Sequence, residues 1–191
     1  MLSNPKIEEE KLDPRVKRTR NLILRSFESL LAEKGFETIS VQDVTENAEV
    51  NRATFYAHFH DKYELLDYSI SQMFVSEIEK RTLNVCSYSP DNLRNLILAV
   101  CEFLGKLHTG CAQPHQQFES LVEGTIKKQI FELLSYWLRK SKLPTELPAT
   151  VATWAIYGLA SHYSHMKKRP ALEKFVDEAF PLVAVNLEQF A

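Results

Sequence analysis

An all-α chain is expected, on three features of the sequence. Prolines at 14, 90, 114, 144, 148 and 170 cut the 191 residues into segments of helical length, because each lacks a backbone donor and turns its predecessor away from helical angles. Inside those segments apolar residues recur every three to four positions, the period of one buried helix face. Alternation of the strand type is hard to find, and glycine is scarce, at 5 residues, which disfavours a turn-rich β architecture.

The first helix runs between Pro14 and Gly35, with Ile23, Phe27, Leu30 and Leu31 on its inner face; glycine there suits a left-handed C-terminal cap. Ser40 and Asp43 have the spacing of a capping box and open a second, short helix through Ala48. Asn51 caps a third from Arg52 to His58, and Asp61 caps a long fourth starting at Lys62. The two short helices, separated by Glu49, Val50 and Asn51, form a tight helix-turn-helix unit. In the fourth helix Leu66, Ile70, Phe74 and Ile78 recur every four residues until polarity takes over near Arg81, and Cys86 to Pro90 reads as a loop.

Leu93, Leu96, Val100, Leu104 and Leu107 mark a fifth helix, and Phe118, Val122, Ile126, Ile130, Leu133 and Trp137 a sixth. Past Pro144 the seventh is dense in Ala149, Ala152, Ala155, Gly158 and Ala160, small side chains that let another helix approach closely. The last spans Ala171 to Phe190 with Pro181 inside it, where a kink or a break into two pieces is expected. The expected organisation is an arm over 1–13, a helix-turn-helix domain over 14–60, and a helical regulatory and dimerisation domain over 61–191.

Composition narrows the function classes. Hydrophobic residues make up 45% and charged residues 25%, ordinary globular values. No apolar stretch approaches the roughly 20 residues a membrane-spanning helix needs, and the opening MLSNPKIEEE is acidic where a secretory signal is basic. A cytoplasmic location follows as the expectation, with no membrane partner. Three cysteines, Cys86, Cys101 and Cys111, are too few and too irregular for a disulfide framework, and no basic neighbour marks an activated thiolate. His108, Cys111 and His115, with His162 and His165 as completers, do not match a known metal-finger spacing, so no metal and no cofactor is expected. There is no glycine-rich phosphate loop, GxSxG elbow, HExxH or paired-carboxylate site, and catalysis has no anchor.

Net charge is -2, so attraction to nucleic acid has to be local. It is: from Pro14 through Phe27 there are Arg15, Lys17, Arg18, Arg20 and Arg25 and no acid. Order, spacing and residue type over 15–67, above all AEVNRATFYAHFHDKYEL, resemble the DNA-binding region of the TetR family of bacterial transcriptional regulators, with Thr54, Tyr56, Phe59 and Lys62 on its hallmark positions. The wording VNRATFYAHFHDKYEL after DPRVKRTR is similar to the branch with regulators of dihydroxyacetone kinase operons. Glu49 stands where the family's turn commonly has glycine, which makes a left-handed backbone there less comfortable.

The resemblance implies a homodimer that binds double-stranded DNA and responds to an unidentified small-molecule effector, most commonly as a repressor. Reading sequence requires side chains at base edges, whereas phosphate contacts supply affinity and salt dependence. Arg52 is able to fork onto guanine and Ala53 to meet a thymine methyl, with Asn51 or Gln42 at neighbouring helix starts. By analogy with the matched positions Thr54, Tyr56, His58 and Lys62 hold phosphates, aided by backbone donors near Ser40, while Phe55 and Phe59 pack inward. A single unit reads few base pairs, so two are needed about 34 Å apart on a pseudo-palindrome. Trp154, Gly158, His162, Phe175 and Phe180 are the expected dimer interface, and Phe103, His108, His115, Phe118, Trp137 and Tyr157 the expected pocket. The rival reading is a helical adaptor on the same fold that acts through a protein partner.

Overall fold

Helices carry most of the described chain, which in the computed structural model comprises residues 13–81, 87–110, 116–142 and 145–188. Among the described residues there are eight α-helices, one 3-10 turn and no strand. They are α1 (Pro14–Lys34), the 3-10 turn (Phe36–Thr38), α2 (Val41–Asn47), α3 (Arg52–Tyr56), α4 (Lys62–Arg81), α5 (Pro90–Gly110), α6 (Gln116–Lys140), α7 (Glu146–His165) and α8 (Leu172–Glu188). They divide into two compact units, and the divisions fall inside α4 and α6, at Met73 and Thr125.

In the first unit, Asp13 starts α1 by accepting the Arg15 amide at 2.7 Å, with Pro14 in the first turn, where its missing donor costs nothing. Ile23, Phe27, Leu30 and Leu31 are buried as one stripe, and Ser26 on the same side donates to the Val44 carbonyl of α2 at 2.9 Å. Gly35 ends the helix at φ 76° and ψ 157°, a region open essentially to glycine alone; it turns the chain into the 3-10 turn rather than adding a left-handed helical residue. Phe36 of that turn is buried edge-on to Phe27 and Tyr63, at ring distances of 6.3 and 5.3 Å.

The capping box of α2 is complete: Asp43 N–H donates to Ser40 Oγ at 3.1 Å, and Ser40 N–H donates back to the Asp43 carboxylate at 2.7 Å. Glu49 then takes φ 54° in the turn, the left-handed conformation that its side chain makes costly. Five residues of α3 follow, seated by Phe55 and Phe59, which are 0% and 1% exposed. Full burial of side chains of this size is worth about 2–3 kcal/mol each. Asp61 opens α4 by accepting the amides of Tyr63 and Glu64, both at 2.8 Å. The start of α6 belongs to this unit as well: Phe118 packs 6.1 Å from Phe36, and Thr125 donates to Asp67 at 2.6 Å.

The second unit is built around the rest of α4, α5, the rest of α6, α7 and α8. Phe74 meets Phe103 edge-on at 5.2 Å, and buried Glu77 accepts Lys106 at 3.0 Å and Lys80 at 3.2 Å. Arg81 pairs with Glu102 in the same unit. Helices α7 and α8 pack against each other, with Tyr163 and Phe175 at a 4.8 Å ring distance. Of the small residues on α7, Ala149, Ala152 and Ala160 are buried within their own chain. Helix α8 is not broken in two at Pro181; it runs unbroken to Glu188. Pro181 lies on the exposed side while Phe175, Val176, Ala179, Val183, Ala184 and Leu187 are buried along the other, so the carbonyl that loses its partner is left facing water. No helix among the described residues is long and apolar enough to cross a membrane.

Candidate nucleic-acid interface

Because Phe55 anchors one side of α3, the other is turned outward, and Arg52, Ala53, Tyr56 and Ala57 are all exposed. Arg52 leans along the helix to Tyr56, Nη2 donating to the phenol oxygen at 3.5 Å. Asn51 is exposed but engaged, its carbonyl oxygen accepting both the Thr54 amide at 2.7 Å and the Thr54 hydroxyl at 2.9 Å. Ser40 is held in the capping box, and Gln42 donates to Glu46 at 2.8 Å. Of the residues expected to face DNA on the helix-turn-helix, Ser40, Gln42, Asn51, Arg52, Ala53 and Tyr56 are exposed and Thr54 is half-buried, with Ser40, Gln42, Asn51 and Thr54 each also in a hydrogen bond within the motif.

Lys62 is engaged within its own unit. Its ammonium donates to the carbonyls of Phe36 and Glu37 at 3.2 Å each and of Ile39 at 2.9 Å, while lying 4.6 Å from the Phe36 ring. An ammonium has three donors, and these carbonyls take all of them.

The basic end of α1 also divides. Arg15 and Arg18 are exposed and Lys17 half-buried, but Arg20 is stacked over the rings of Phe59 and Tyr68, at 5.0 and 4.1 Å. Arg25 lies near Glu28, whose carboxyl is pushed above its ordinary range by burial, against the opposing effects of Ser69 and Arg25. Half-buried His58 is held below the usual imidazole range, first by loss of solvent and then by the Arg20 charge. It is therefore neutral at pH 7 and has one ring N–H to donate.

In the second unit Phe103 and Trp137 are buried, and Tyr157 is half-buried with Lys127 5.0 Å from its ring. Phe118 is placed elsewhere, against Phe36 in the first unit. The side chains of His108 and His115, together with Cys86 and Cys111, lie outside the described residues. Cys101 is fully buried and its thiol is pushed up to about 12, by burial first and Glu102 second, which makes it inert as a nucleophile. Trp154 is 61% exposed, and Gly158 and His162 are exposed on the same helix; Phe180 is half-buried, and Phe175 is turned into its own chain against Tyr163.

The model of a protein family described as bacterial regulatory proteins, tetR family, matches residues 23–68, the segment that carries α2, α3 and the start of α4. Over those residues the chain is similar to the TetR family's DNA-binding segment. An HTH-type transcriptional regulator of Bacillus subtilis (strain 168), YxbF, is 37% identical over 76 residues, 39% of this chain and 20% of that protein. The HTH-type dhaKLM operon transcriptional activator DhaS of Lactococcus lactis is 32% identical over 60 residues, 31% of this chain and 32% of that protein. The chain therefore spans at most about a third of the curated relatives it matches. A crystal structure of a TetR-family regulator from Streptomyces coelicolor superposes with a TM-score of 0.64 over 92% of this chain and 98% of that one, at 16% identity, a likeness of fold.

The second unit also exposes large apolar residues. Leu147 and Val151 on α7 are 76% and 48% exposed, and Leu182 and Val185 on α8 are 65% and 47% exposed. With Trp154, whose ring lies 3.2 Å from the Lys127 ammonium, they are the large apolar side chains that α7 and α8 leave exposed among the described residues. The signal was present: Leu147, Val151, Trp154 and Gly158 follow a helical period offset from the buried Ala149, Ala152, Ile156 and Ala160, so α7 is apolar on two faces.

Proposed function

We propose that this protein is a dimeric, sequence-specific DNA-binding transcriptional regulator, a repressor that leaves a pseudo-palindromic operator when a small molecule binds its C-terminal helices. The observation that carries the reading is the outer side of α3, where Arg52, Ala53 and Tyr56 stand exposed on a helix seated from behind by buried Phe55, inside the segment matched to the family. Arg52 presents a fork suited to guanine in the major groove and Ala53 room for a thymine methyl. Tyr56, Arg15, Lys17 and Arg18 meet phosphates, and neutral His58 adds one donor. Ser40, Gln42, Asn51 and Thr54 serve by fixing the two short helices.

Residues 14–60 form the DNA-reading domain and 61–191 the regulatory and dimerising one. The exposed apolar side of α7 and α8 is the surface on which two copies meet, since a patch of large apolar side chains on water is stabilised by covering it. Phe103, Trp137 and Tyr157 supply apolar walls for an effector, which acts by binding one arrangement of the dimer more tightly than the other. The site of action is the cytoplasm, where the operator is.

Selection of bound duplexes from a random pool tests the reading. The expected product is an inverted repeat with half-sites about 34 Å apart; recovery of no consensus sinks it and leaves the protein-partner reading. Activation is the second reading, favoured by the similarity to the Lactococcus lactis operon activator, and a reporter carrying the recovered operator separates it from repression by the sign of the response.

A further inference from the structure

We propose that Glu132, Ser135 and Thr153 form the polar part of the effector site, and that they fit a non-anionic molecule carrying hydrogen-bond donors on an apolar body. The proposal rests on the effector reading above and gives it a chemical class. All three residues lie in the second unit, two on α6 and one on α7. Ser135 and Thr153 are 7% and 3% exposed, and neither hydroxyl has a hydrogen-bond partner among the described residues. One carboxylate oxygen of Glu132 is buried and unpartnered in the same way. Native interiors leave few such groups, because a buried donor or acceptor without a partner forfeits the solvation it had in the unfolded chain.

Neighbouring hydroxyls behave otherwise. Thr125 on α6 donates to the Leu121 carbonyl at 3.1 Å, Thr150 on α7 to the Glu146 carbonyl at 2.7 Å and Ser164 to the Ser161 carbonyl at 2.8 Å. This bond to the preceding turn is the usual recourse of a helical Ser or Thr, and Ser135 and Thr153 do not take it. Only residues 141–145 separate α6 from α7, and Lys127 lies 3.2 Å from the centre of the Trp154 ring and 5.0 Å from that of Tyr157, so the two helices run back along each other. Thr153 precedes Tyr157 by about one turn and Ser135 follows Lys127 by about two. Both fall between that contact and the closing turn, in the stretch that also carries buried Trp137.

The donor set fixes the class of ligand. A hydroxyl both donates and accepts, whereas a carboxylate oxygen only accepts, so the three together favour a molecule with hydroxyl, amide or amine donors. An anion would bring a second negative charge beside Glu132 where water is scarce. An arrangement of the helices in which these groups gain partners is favoured once such a molecule is present, and that difference in affinity is what an effector needs to shift a dimer between two states.

Two measurements on the full chain test the proposal. Thr153→Val keeps the side-chain shape and removes the hydroxyl; with no small molecule added it is expected to melt about 2–4 °C higher, since an apolar group replaces an unpaired polar one. A lower melting temperature overturns the proposal, because it shows that the hydroxyl already has a partner such as a bound water. Saturation-transfer NMR then compares 2-phenylethanol with phenylacetate, alike in body and different in charge. The alcohol is expected to bind the wild type and to bind Ser135→Ala/Thr153→Val about tenfold more weakly, the size of one or two lost hydrogen bonds, while phenylacetate binds neither.

Equal binding of the alcohol by the double variant, tighter binding of phenylacetate, or binding of neither probe by the wild type each overturns the proposal. The effector reading fails in a different way. If the alcohol occupies the site and saturation leaves duplex affinity unchanged, that reading falls while the binding site stands; if it loosens the duplex equally in wild type and double variant, the site falls while the reading stands.

Discussion

The outer sides of α3 and of the α7–α8 pair both face solvent, and they are built on opposite principles. On α3 the exposed residues are Arg52, Ala53 and Tyr56, polar or small; on α7 and α8 they include Leu147, Val151, Trp154, Leu182 and Val185. A charged fork on a helix is at ease in water and gains from an anionic, hydrogen-bonding partner. A run of large apolar side chains is not at ease there and gains from another apolar surface. The first surface is thus expected to bind in a salt-sensitive way and the second in a salt-insensitive one, and the two can be broken separately.

The largest effect is expected from Leu182→Glu. Bringing two carboxylates into a symmetric apolar contact costs about 3 kcal/mol or more, so sedimentation should show a monomer and duplex affinity should fall by more than about hundredfold. The fold should survive, because Leu182 is 65% exposed; a variant that stays dimeric places the contact elsewhere. Next comes Arg52→Ala, expected to cost about 1–3 kcal/mol and to blur one base pair of each half-site while leaving the dimer intact. An anisotropy titration over single-base variants of the operator reads both quantities, and an unchanged base preference removes Arg52 from the groove.

Smaller effects come from the turn and from His58. Glu49→Gly relieves a side chain at φ 54° and should stabilise the fold by about 1 kcal/mol, or about 2–4 °C in Tm for a chain of this length; a lower Tm would mean the side chain stabilises the turn. His58 has a folded pKa below its unfolded value of about 6.5, so the unfolded state takes up the proton first. Stability is then fully present above about pH 6.5 and declines as pH falls below it. In His58→Gln the decline should be shallower across that window, as measured by urea unfolding at stepped pH.

Local chemistry made much of this fold legible. The Ser40–Asp43 box, the Asn51 and Asp61 caps and the Ile23–Phe27–Leu30–Leu31 stripe all depend on residues a few positions apart, and all are present. What escaped reading depends on distant partners. Lys62 meets carbonyls at 36, 37 and 39, and Arg20 meets rings at 59 and 68, so neither set of contacts is written near the residue itself. The small residues of α7 and the proline of α8 say less by themselves: a small side chain invites close approach without saying by which helix, and a proline need not end a helix where water reaches the freed carbonyl.

One consequence of the five-residue α3 reaches beyond the contacts themselves. A stretch so short does not nucleate a helix alone, because fixing its first turn is unfavourable until something else rewards it. Its shape is imposed from behind by Phe55 and Phe59, which makes recognition all-or-none with the hydrophobic interior. A random mutagenesis screen for lost operator binding should therefore return substitutions at these two phenylalanines alongside those at Arg52, the arginine proposed to meet the bases.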